Sequence, residues 1–229
     1  MSGVVIWDFD GTLAHRPGMF GGCMVEVLDE HEPGHAVTLD SVRPFLRDGF
    51  PWHAPNVAHP ELGEAEAWWG RVGAVLARAY EQVGYAPARA AELAQLARRR
   101  YVDPANGWAL FDDSLPALES LRARGWRHVL LSNHVPELPI LVDALGLAEL
   151  FDAVLTSAAI GYEKPHAEAF ALARRAAGEP ELVWMVGDNF DADVAGAEAV
   201  GIPAVLARRT DDRATRAVAT LAELPRYVG

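Results

Sequence analysis

Short apolar runs alternate with amphipathic stretches in the first and the last parts of the chain. Between these runs, apolar spacing predicts helices, and one of them begins near Asp113 and stops at Gly125. Strand–helix alternation is typical of an α/β fold with a doubly wound, mostly parallel sheet. Five runs rich in Val, Leu or Ile predict buried strands, and they are Val4–Asp8, His128–Ser132, Ala153–Ser157, Leu182–Gly187 and Ala204–Leu206.

The pattern changes between these two parts. Residues 14–60 are rich in Gly, Pro and His and show no clean periodicity. Glu61–Val83 then carries an apolar stripe at helical spacing, and Pro87–Tyr101 repeats this pattern more weakly. We interpret this part of the chain as a helical insert that closes over the active edge of the sheet.

These patterns together predict two structural units. Residues 1–13 and 110–229 would form the Rossmann-like core, and residues 14–109 would form an α-helical cap inserted into it. Trp68 and Trp69 lie on the apolar stripe, so we expect them in the core of the insert rather than on a substrate platform.

Composition and charge exclude several classes of function. The formal net charge of −12 argues against a nucleic-acid-binding surface, which needs a basic footprint. There is no apolar run long enough to span a membrane and no signal-peptide pattern, so we expect a cytoplasmic protein. Cys23 is the only cysteine, which rules out an intrachain disulfide and a cysteine-based metal cluster.

Lysine usage is the sharpest compositional feature. Of the 20 basic side chains, Lys164 is the only lysine and all others are arginine. Under such a bias, a lysine is expected to persist mainly where arginine cannot replace it. Lysine is a compact point charge with three donors, whereas arginine is a bulky planar fork. We therefore interpret Lys164 as a cation held among several oxygens in a tight site.

The segment around Asp8 and Asp10 points to chemistry most directly. An apolar strand delivers these two carboxylates, spaced i and i+2, to a Gly-Thr turn. Residues two apart in a strand lie on the same face, so both side chains can start out in the same direction. Two carboxylates this close repel each other unless a cation or a shared proton offsets the charge.

Four motifs lie at the ends of predicted strands and follow one another in a fixed order. The four motifs are Asp8-Phe9-Asp10-Gly11-Thr12, Leu130-Leu131-Ser132-Asn133, Lys164-Pro165 and Gly187-Asp188-Asn189-Phe190-Asp191-Ala192-Asp193. Together they resemble the haloacid dehalogenase superfamily of aspartate-nucleophile hydrolases, across essentially the whole chain outside the insert. The position of the insert resembles the helical cap that one subgroup carries between the first and second motifs.

The resemblance implies a role for each catalytic side chain. Asp8 would be the nucleophile that attacks phosphorus and forms an aspartyl-phosphate. Asp10 would protonate the leaving alkoxide and then activate the hydrolytic water. Lys164 would bind both the nucleophile and the transferring group. The phosphoryl oxygens would bind to Thr12, Ser132 and Asn133.

The resemblance also implies a Mg²⁺ site. Its ligands would be Asp8, the main-chain carbonyl of Asp10 and Asp188, with Asp193 one shell further out, holding a metal-bound water or Lys164. Four ionised carboxylates and one lysine would repel an incoming phosphate, which carries roughly −2 charge. Hard oxygen ligands favour Mg²⁺ over Zn²⁺. We therefore expect strict dependence on a divalent metal.

Several functions remain open at this stage. A dehalogenase has no need of the acid Asp10, because halide leaves unprotonated, and no need of metal ligands. A phosphatase needs both and is therefore favoured. A phosphomutase would use the same nucleophile and acid, and a non-catalytic binding protein could share the fold. The membrane-pump members of the superfamily are excluded as a model for this chain, because its sequence has no predicted membrane span.

The expected substrate is a small phosphorylated metabolite, because closure of a cap must expel water around the reacting phosphate. Specificity should come from the cap and from residues 14–60. In that segment Trp52, His53, Arg43 and Arg47 would suit such a substrate. The sequence does not say which metabolite it is.

Overall fold

A six-stranded, all-parallel sheet forms the centre of the protein in a computed structural model, which describes residues 3–228. Its strand order is β5-β4-β1-β6-β7-β8, and β2 and β3 form a separate antiparallel pair. The predicted doubly wound α/β sheet is thereby confirmed. The strands are β1 (Val4–Trp7), β2 (Ala14–His15), β3 (Ala109–Leu110), β4 (Arg127–Ser132), β5 (Ala153–Thr156), β6 (Val183–Gly187), β7 (Ala204–Ala207) and β8 (Ala217–Val218).

Helices connect the strands and form the segment between β2 and β3. The α-helices are α1 (Met19–His31), α2 (Leu39–Val42), α3 (Ala65–Gln82), α4 (Pro87–Val102), α5 (Ser114–Ala123), α6 (Leu138–Ala144), α7 (Ser157–Ile160), α8 (Ala167–Ala176) and α9 (Gly196–Ala199). A π-helical turn over Phe190–Ala195 leads directly into α9. Short 3-10 turns cover Arg43–Leu46, Pro51–His53, Pro60–Leu62, Ala148–Leu150 and Leu221–Arg226.

Strand β1 shows why the sheet is buried on both faces. Val4 and Ile6 pack into one apolar layer with helix α8 and its neighbours. Val5 and Trp7 point to the opposite layer, because successive side chains in a strand alternate between faces. All four side chains are fully buried. Because both faces of the strand are buried, its sequence is a continuous apolar run.

The register of β1 fixes the position of the site. Trp7 pairs with Leu130 of β4 on one side and with Val186 of β6 on the other. All three strands run in the same direction, so their carboxyl ends open at one edge of the sheet. Ligand sites in such sheets lie beyond this edge. The chain leaves β1 at Asp8, in the centre of that edge.

Helices α1 to α4 lie between β2 and β3. Helices α3 and α4 agree with their predicted spans, and Trp68 and Trp69 are buried as expected. Helix α1 was not predicted, because residues 14–60 as a whole show no clean helical periodicity. Its buried face has helical spacing (Phe20, Cys23, Met24, Val27 and Leu28), but two glycines in its first turn, Gly21 and Gly22, weaken the helical signal. The two predicted domain boundaries stay predictions.

No helix within residues 3–228 is long and apolar enough to cross a membrane.

A buried histidine connects the central strands. His128 of β4 is 1% exposed and accepts a hydrogen bond from Trp7 Nε1 on its Nδ1 at 3.0 Å. Its Nε2 donates to the Leu118 carbonyl at 3.0 Å. Burial lowers the pKa of His128 to about 4, although the Leu118 carbonyl opposes this shift. The ring is therefore neutral in the folded protein at neutral pH.

This histidine predicts loss of stability in acid. The unfolded chain binds a proton at His128 near pH 6.5, whereas the folded protein binds it only near pH 4. Stability is therefore fully present above pH 6.5 and falls by about 3 kcal/mol as the pH drops to 4. Urea unfolding across this range measures the effect. His128→Gln should flatten the pH dependence, whereas the same change at the exposed His31 should not; equal slopes for both variants would contradict the assignment.

Candidate active site

The first carboxylate, Asp8, is placed by the end of β1. Its backbone N–H donates to the Val186 carbonyl at 2.9 Å, which extends the pairing with β6 by one residue. The next residue, Phe9, is fully buried, so the chain alternates and presents Asp8 and Asp10 on the opposite side. The side chain of Asp8 is 9% exposed and that of Asp10 is 23% exposed.

The turn after Asp10 requires a glycine. Gly11 has a φ of +78° and donates its N–H to the Ala14 carbonyl at 2.8 Å. A Cβ at this position would lie 2.4 Å from Asp188 Oδ2. Both its conformation and its space therefore exclude a side chain. The close approach brings the first motif against Asp188, the first carboxylate of the fourth motif.

Lys164 joins three of the four motifs. Its Nζ donates to Asp8 Oδ1 at 2.7 Å and to Asp193 Oδ1 at 2.6 Å, and the side chain is 2% exposed. Burial alone would lower the pKa of Lys164, but the carboxylates of Asp193 and Asp8 outweigh it and raise this pKa. The ammonium is charged and fixed between its two partners.

Two hydroxyl groups also bind the nucleophile candidate. Ser132 at the end of β4 donates to Asp8 Oδ1 at 3.0 Å, and Thr12 donates to Asp8 Oδ2 at 3.4 Å. Both residues were expected to bind phosphoryl oxygens. Their hydroxyls orient Asp8 in this structure, and both lie beside the position where a phosphoryl group would meet it.

Asn133 binds the backbone of Lys164 at two points. Its side-chain nitrogen donates to the Lys164 carbonyl at 2.9 Å, and its oxygen accepts from the Lys164 N–H at 2.7 Å. This pair of bonds uses both ends of the amide. Asn133 therefore fixes the backbone of the loop that carries Lys164, and its predicted contact with a phosphoryl oxygen stays a prediction.

Asp188 and Asp193 have different environments. Both oxygens of Asp193 accept hydrogen bonds, from Lys164 and from the Asn189 N–H at 3.0 Å. Asp188 Oδ2 accepts from Arg209 at 2.6 Å, and within residues 3–228 its Oδ1 accepts none. Burial and the charge of Asp8 raise the pKa of Asp188, and Arg209 opposes this. Burial also raises the pKa of Asp193, against the attraction of Lys164.

These residues fit a cation of the hard, oxygen-binding type. Asp8, Asp188 and Asp193 each offer a carboxylate oxygen, and the three atoms lie within 4.8 Å of one another. Lys164 and Arg209 leave an excess of about two negative charges when all four aspartates are ionised. One divalent ion would balance this excess. Both oxygens of Asp193 accept short hydrogen bonds, whereas Asp8 Oδ2 accepts only the long bond from Thr12 at 3.4 Å and Asp188 Oδ1 accepts none within residues 3–228, so Asp8 and Asp188 are the better direct ligands.

Asp10 has the most unusual surroundings of the four carboxylates. Its Oδ1 is buried and has no hydrogen-bond partner within residues 3–228. Burial, then the charges of Asp8 and Asp188, raise the pKa of Asp10 well above its usual range, and Lys164 opposes this. An unpartnered oxygen on a carboxyl group that favours its protonated form is suited to hold and deliver a proton.

Sequence reasoning missed the residues around Asp10. His134 Nε2 lies 3.7 Å from Asp10 Oδ2, and Tyr101 of α4 brings its hydroxyl within 3.5 Å of the same nitrogen. Burial lowers the pKa of His134 to about 4, so this ring is neutral. The adjacency of His134 to the Ser132-Asn133 motif is a signal that could have revealed it. Nothing in the sequence identifies Tyr101, because it lies in the insert.

Arg208 and Arg209, which follow β7, were also missed. Arg208 donates to the Thr12 carbonyl at 2.7 Å and lies over the Phe111 ring at 3.8 Å, so it anchors the turn after Asp10. Arg209 pairs with Asp188. Asp191, which we did not assign as a ligand, is exposed and pairs with Arg213 at 2.8 Å.

A cavity of about 490 Å³ opens in front of these groups. Asp10, His134 and Lys164 lie at its base, and Phe20, Trp52 and Tyr101 of the insert form part of its wall. A volume of this size is typical of sites for small molecules. The carboxyl ends of the sheet and the helical segment thus enclose one site between them.

Comparisons with known proteins identify the family of the chain. A model of the haloacid dehalogenase-like hydrolases matches residues 3–201. The phosphoserine phosphatase of Thermus thermophilus is 40% identical over 153 residues, which are 64% of this chain and 58% of that protein. The phosphoglycolate phosphatase of Cereibacter sphaeroides is 31% identical over 202 residues, 86% of this chain and 81% of that protein.

A solved structure shows the same fold in a relative of another activity. The 2-haloacid dehalogenase of Pseudomonas syringae pv. Tomato DC3000 superposes with a TM-score of 0.67 at 26% identity, and covers 99% of this chain and 97% of its own. The fold and the family match thus define an α/β hydrolase. The chain belongs to the haloacid dehalogenase-like hydrolases, as its four motifs predicted.

The buried position of Lys164 between two carboxylates predicts that arginine cannot replace it. Lys164→Arg keeps the charge, but the larger planar head does not fit between two carboxylates in a buried site. We expect kcat to fall by about 10²–10³-fold, as when one charge-stabilising donor is lost. Lys164→Met should destabilise the protein by about 3–5 kcal/mol, because it leaves two buried carboxylates unpaired. The control Arg175→Lys adds an exposed lysine and should change neither quantity; a fully active Lys164→Arg enzyme would refute the interpretation.

Proposed function

We propose that this protein is a Mg²⁺-dependent phosphatase that hydrolyses a small phosphorylated metabolite through an aspartyl-phosphate on Asp8. The observation that carries the proposal is the pairing of two unlike carboxyl groups at one cavity. Asp8 accepts hydrogen bonds from the Lys164 ammonium and the Ser132 hydroxyl. Asp10 has an unpartnered buried oxygen and a raised pKa, which suit an acid.

The first half of the reaction uses both aspartates. A carboxylate oxygen of Asp8 attacks phosphorus, and the bond between phosphorus and the alcohol oxygen breaks. The leaving oxygen takes the proton of Asp10, so the alcohol departs neutral. Lys164 stabilises the negative charge of the transferring group, since its Nζ is already fixed at 2.7 Å from Asp8.

The second half regenerates the enzyme. Asp10, now a carboxylate, accepts a proton from water, and the water oxygen attacks the phosphorus of the aspartyl-phosphate. The bond between phosphorus and Asp8 breaks and inorganic phosphate leaves. His134 and Tyr101 act as positioning residues in this scheme, because both approach the Asp10 side of the site.

Asp8, Asp188 and the main-chain carbonyl of Asp10 would hold the metal ion. Bound there, Mg²⁺ supplies positive charge that neutralises the phosphate and the transition state. Asp193 holds Lys164 in place. A cytoplasmic location stays an expectation of the sequence.

The similarity to a 2-haloacid dehalogenase favours one alternative, which is displacement of halide by Asp8. That reaction needs no acid at Asp10. The raised pKa of Asp10 and the carboxylate at Asp188 support phosphate ester hydrolysis instead. Release of halide from 2-haloacids, unaffected by Asp10→Asn, would favour the dehalogenase.

The nucleophile is tested by Asp8→Asn. With Mg²⁺ and p-nitrophenyl phosphate, we expect its kcat to fall at least about 10³-fold, because the amide cannot form the covalent intermediate. Mass spectrometry of acid-quenched wild-type enzyme should show a phosphorylated peptide that contains Asp8. The control Asp143→Asn removes an exposed carboxylate of α6 and should keep full activity. Equal rates for wild type and Asp8→Asn would overturn the catalytic assignment.

The metal site is tested separately by binding. Mg²⁺ should raise the melting temperature of the wild type, because an ion that binds the folded state stabilises it by mass action. Asp188→Asn removes one charged ligand and should abolish most of this shift, whereas Asp143→Asn should retain it. Excess chelator should also stop phosphate release by the wild type. Full activity in chelator would exclude the metal requirement.

A further inference from the structure

The cavity in front of Asp10 has a predominantly apolar outer wall. Met19 and Phe20 of α1, Trp52, Tyr101 and Val135 contribute to it. These side chains lie where the alcohol part of a phosphate ester would extend once its phosphoryl group meets Asp8. The wall therefore contacts the leaving group and not the phosphate.

Flat rings dominate this wall. Phe20 stacks on Tyr101 with ring centres 3.9 Å apart and planes at 10°. On its other side it faces Phe50 at 5.4 Å and 22°, and Phe50 stacks on Trp52 at 4.5 Å and 10°. Trp52 is only half-buried, so part of its ring remains open to a ligand. Aromatic surfaces of this kind favour other flat, apolar groups.

Cationic side chains are scarce in the same cavity. Within residues 3–228, Lys164 is the one basic residue in its lining, and both of its carboxylate partners hold it. The buried His134 ring already has its Nε2 beside Asp10 Oδ2 at 3.7 Å and the Tyr101 hydroxyl at 3.5 Å. The acidic residues in the lining are Asp10 and Asp191. A carboxylate on the leaving group would therefore meet no available positive charge, and its desolvation would go uncompensated.

Arg213 reaches the lining residue Asp191 at 2.8 Å, but both Asp191 and Asp211 already pair with it. Two other arginines lie behind the aromatic wall. Arg43 and Arg47 line a second cavity of about 310 Å³. Met19, Phe20 and Trp52 line both cavities and so separate them. Arg43 is also paired with Asp40 at 2.9 Å. The two arginines therefore do not face the leaving group.

We propose that the substrate is a phosphate ester of an uncharged alcohol with a flat, apolar ring, and that esters of carboxylate-bearing alcohols are rejected. This inference rests on the phosphatase function proposed above. It distinguishes the site from one suited to phosphoserine or phosphoglycolate, whose alcohols both carry a carboxylate.

A matched pair of substrates tests the proposal. Benzyl phosphate and its para-carboxylate share the ring and the reacting bond, and differ by one remote charge. We expect kcat/KM of the wild type to be at least tenfold higher for benzyl phosphate. An equal or higher value for the carboxylated ester overturns the proposal. Hydrolysis of neither ester, nor of p-nitrophenyl phosphate, would instead show that the phosphatase function itself is wrong.

Two variants connect the preference to the wall. Met19→Arg places a cation in the cavity and should shift the ratio of the two kcat/KM values at least fivefold toward the carboxylated ester. The control Ile140→Arg adds the same charge at an exposed apolar residue of α6, which does not line the cavity, and should leave the ratio unchanged. A shift of the same size in both variants would assign the effect to net charge and contradict the proposal.

Trp52→Ala tests the ring itself. It should lower kcat/KM for benzyl phosphate several-fold more than for methyl phosphate, which has no ring. Activity toward methyl phosphate serves as the check that the variant is folded. Equal losses on both substrates would show that Trp52 does not contact the leaving group.

Discussion

The ion triad of Lys164 with Asp8 and Asp193 is the interaction on which the rest of the site depends. Each carboxylate comes from a different motif, and neither could be buried at this point without a cation beside it. The triad joins the end of β1 to the turn after β6 through the loop that precedes α8. Asn133 adds a fourth segment, because it holds the backbone of Lys164 at two points. Through its ammonium and its backbone, Lys164 thus connects four segments that lie far apart in the sequence.

The sheet supplies the frame for this arrangement. Because β1 lies between β4 and β6, the residues that follow these strands emerge side by side at one edge. The same apolar layer continues from this face of the sheet into the helical segment. Phe9 illustrates the connection, since its ring packs against Trp108 at 5.5 Å and against His134 at 5.8 Å. The residue between the two key aspartates is therefore part of the packing that joins the sheet to the insert.

The sequence predicted what local patterns and motif order determine. The five long strands, helices α3 and α4 and the convergence of Asp8, Lys164 and Asp188 belong to this class, because apolar runs and strand ends can be read along the chain. Strand β8 was missed, because a two-residue strand has no periodicity. Asn133 was predicted by its motif, but its orientation depends on a loop 31 residues away. Tyr101 and Arg209 were missed for the same reason, since only the folded chain brings them to the aspartates.

Lys164 has a further consequence for the chemistry of the folded surface. Every other basic side chain is a guanidinium, so the protein presents no exposed side-chain amine to reagents that acylate lysine. Acylation of Lys164 requires that the loop before α8 separates from Asp8 and Asp193, which exposes the amine to solvent. The rate of labelling at this one residue is therefore a direct measure of how often the catalytic centre opens.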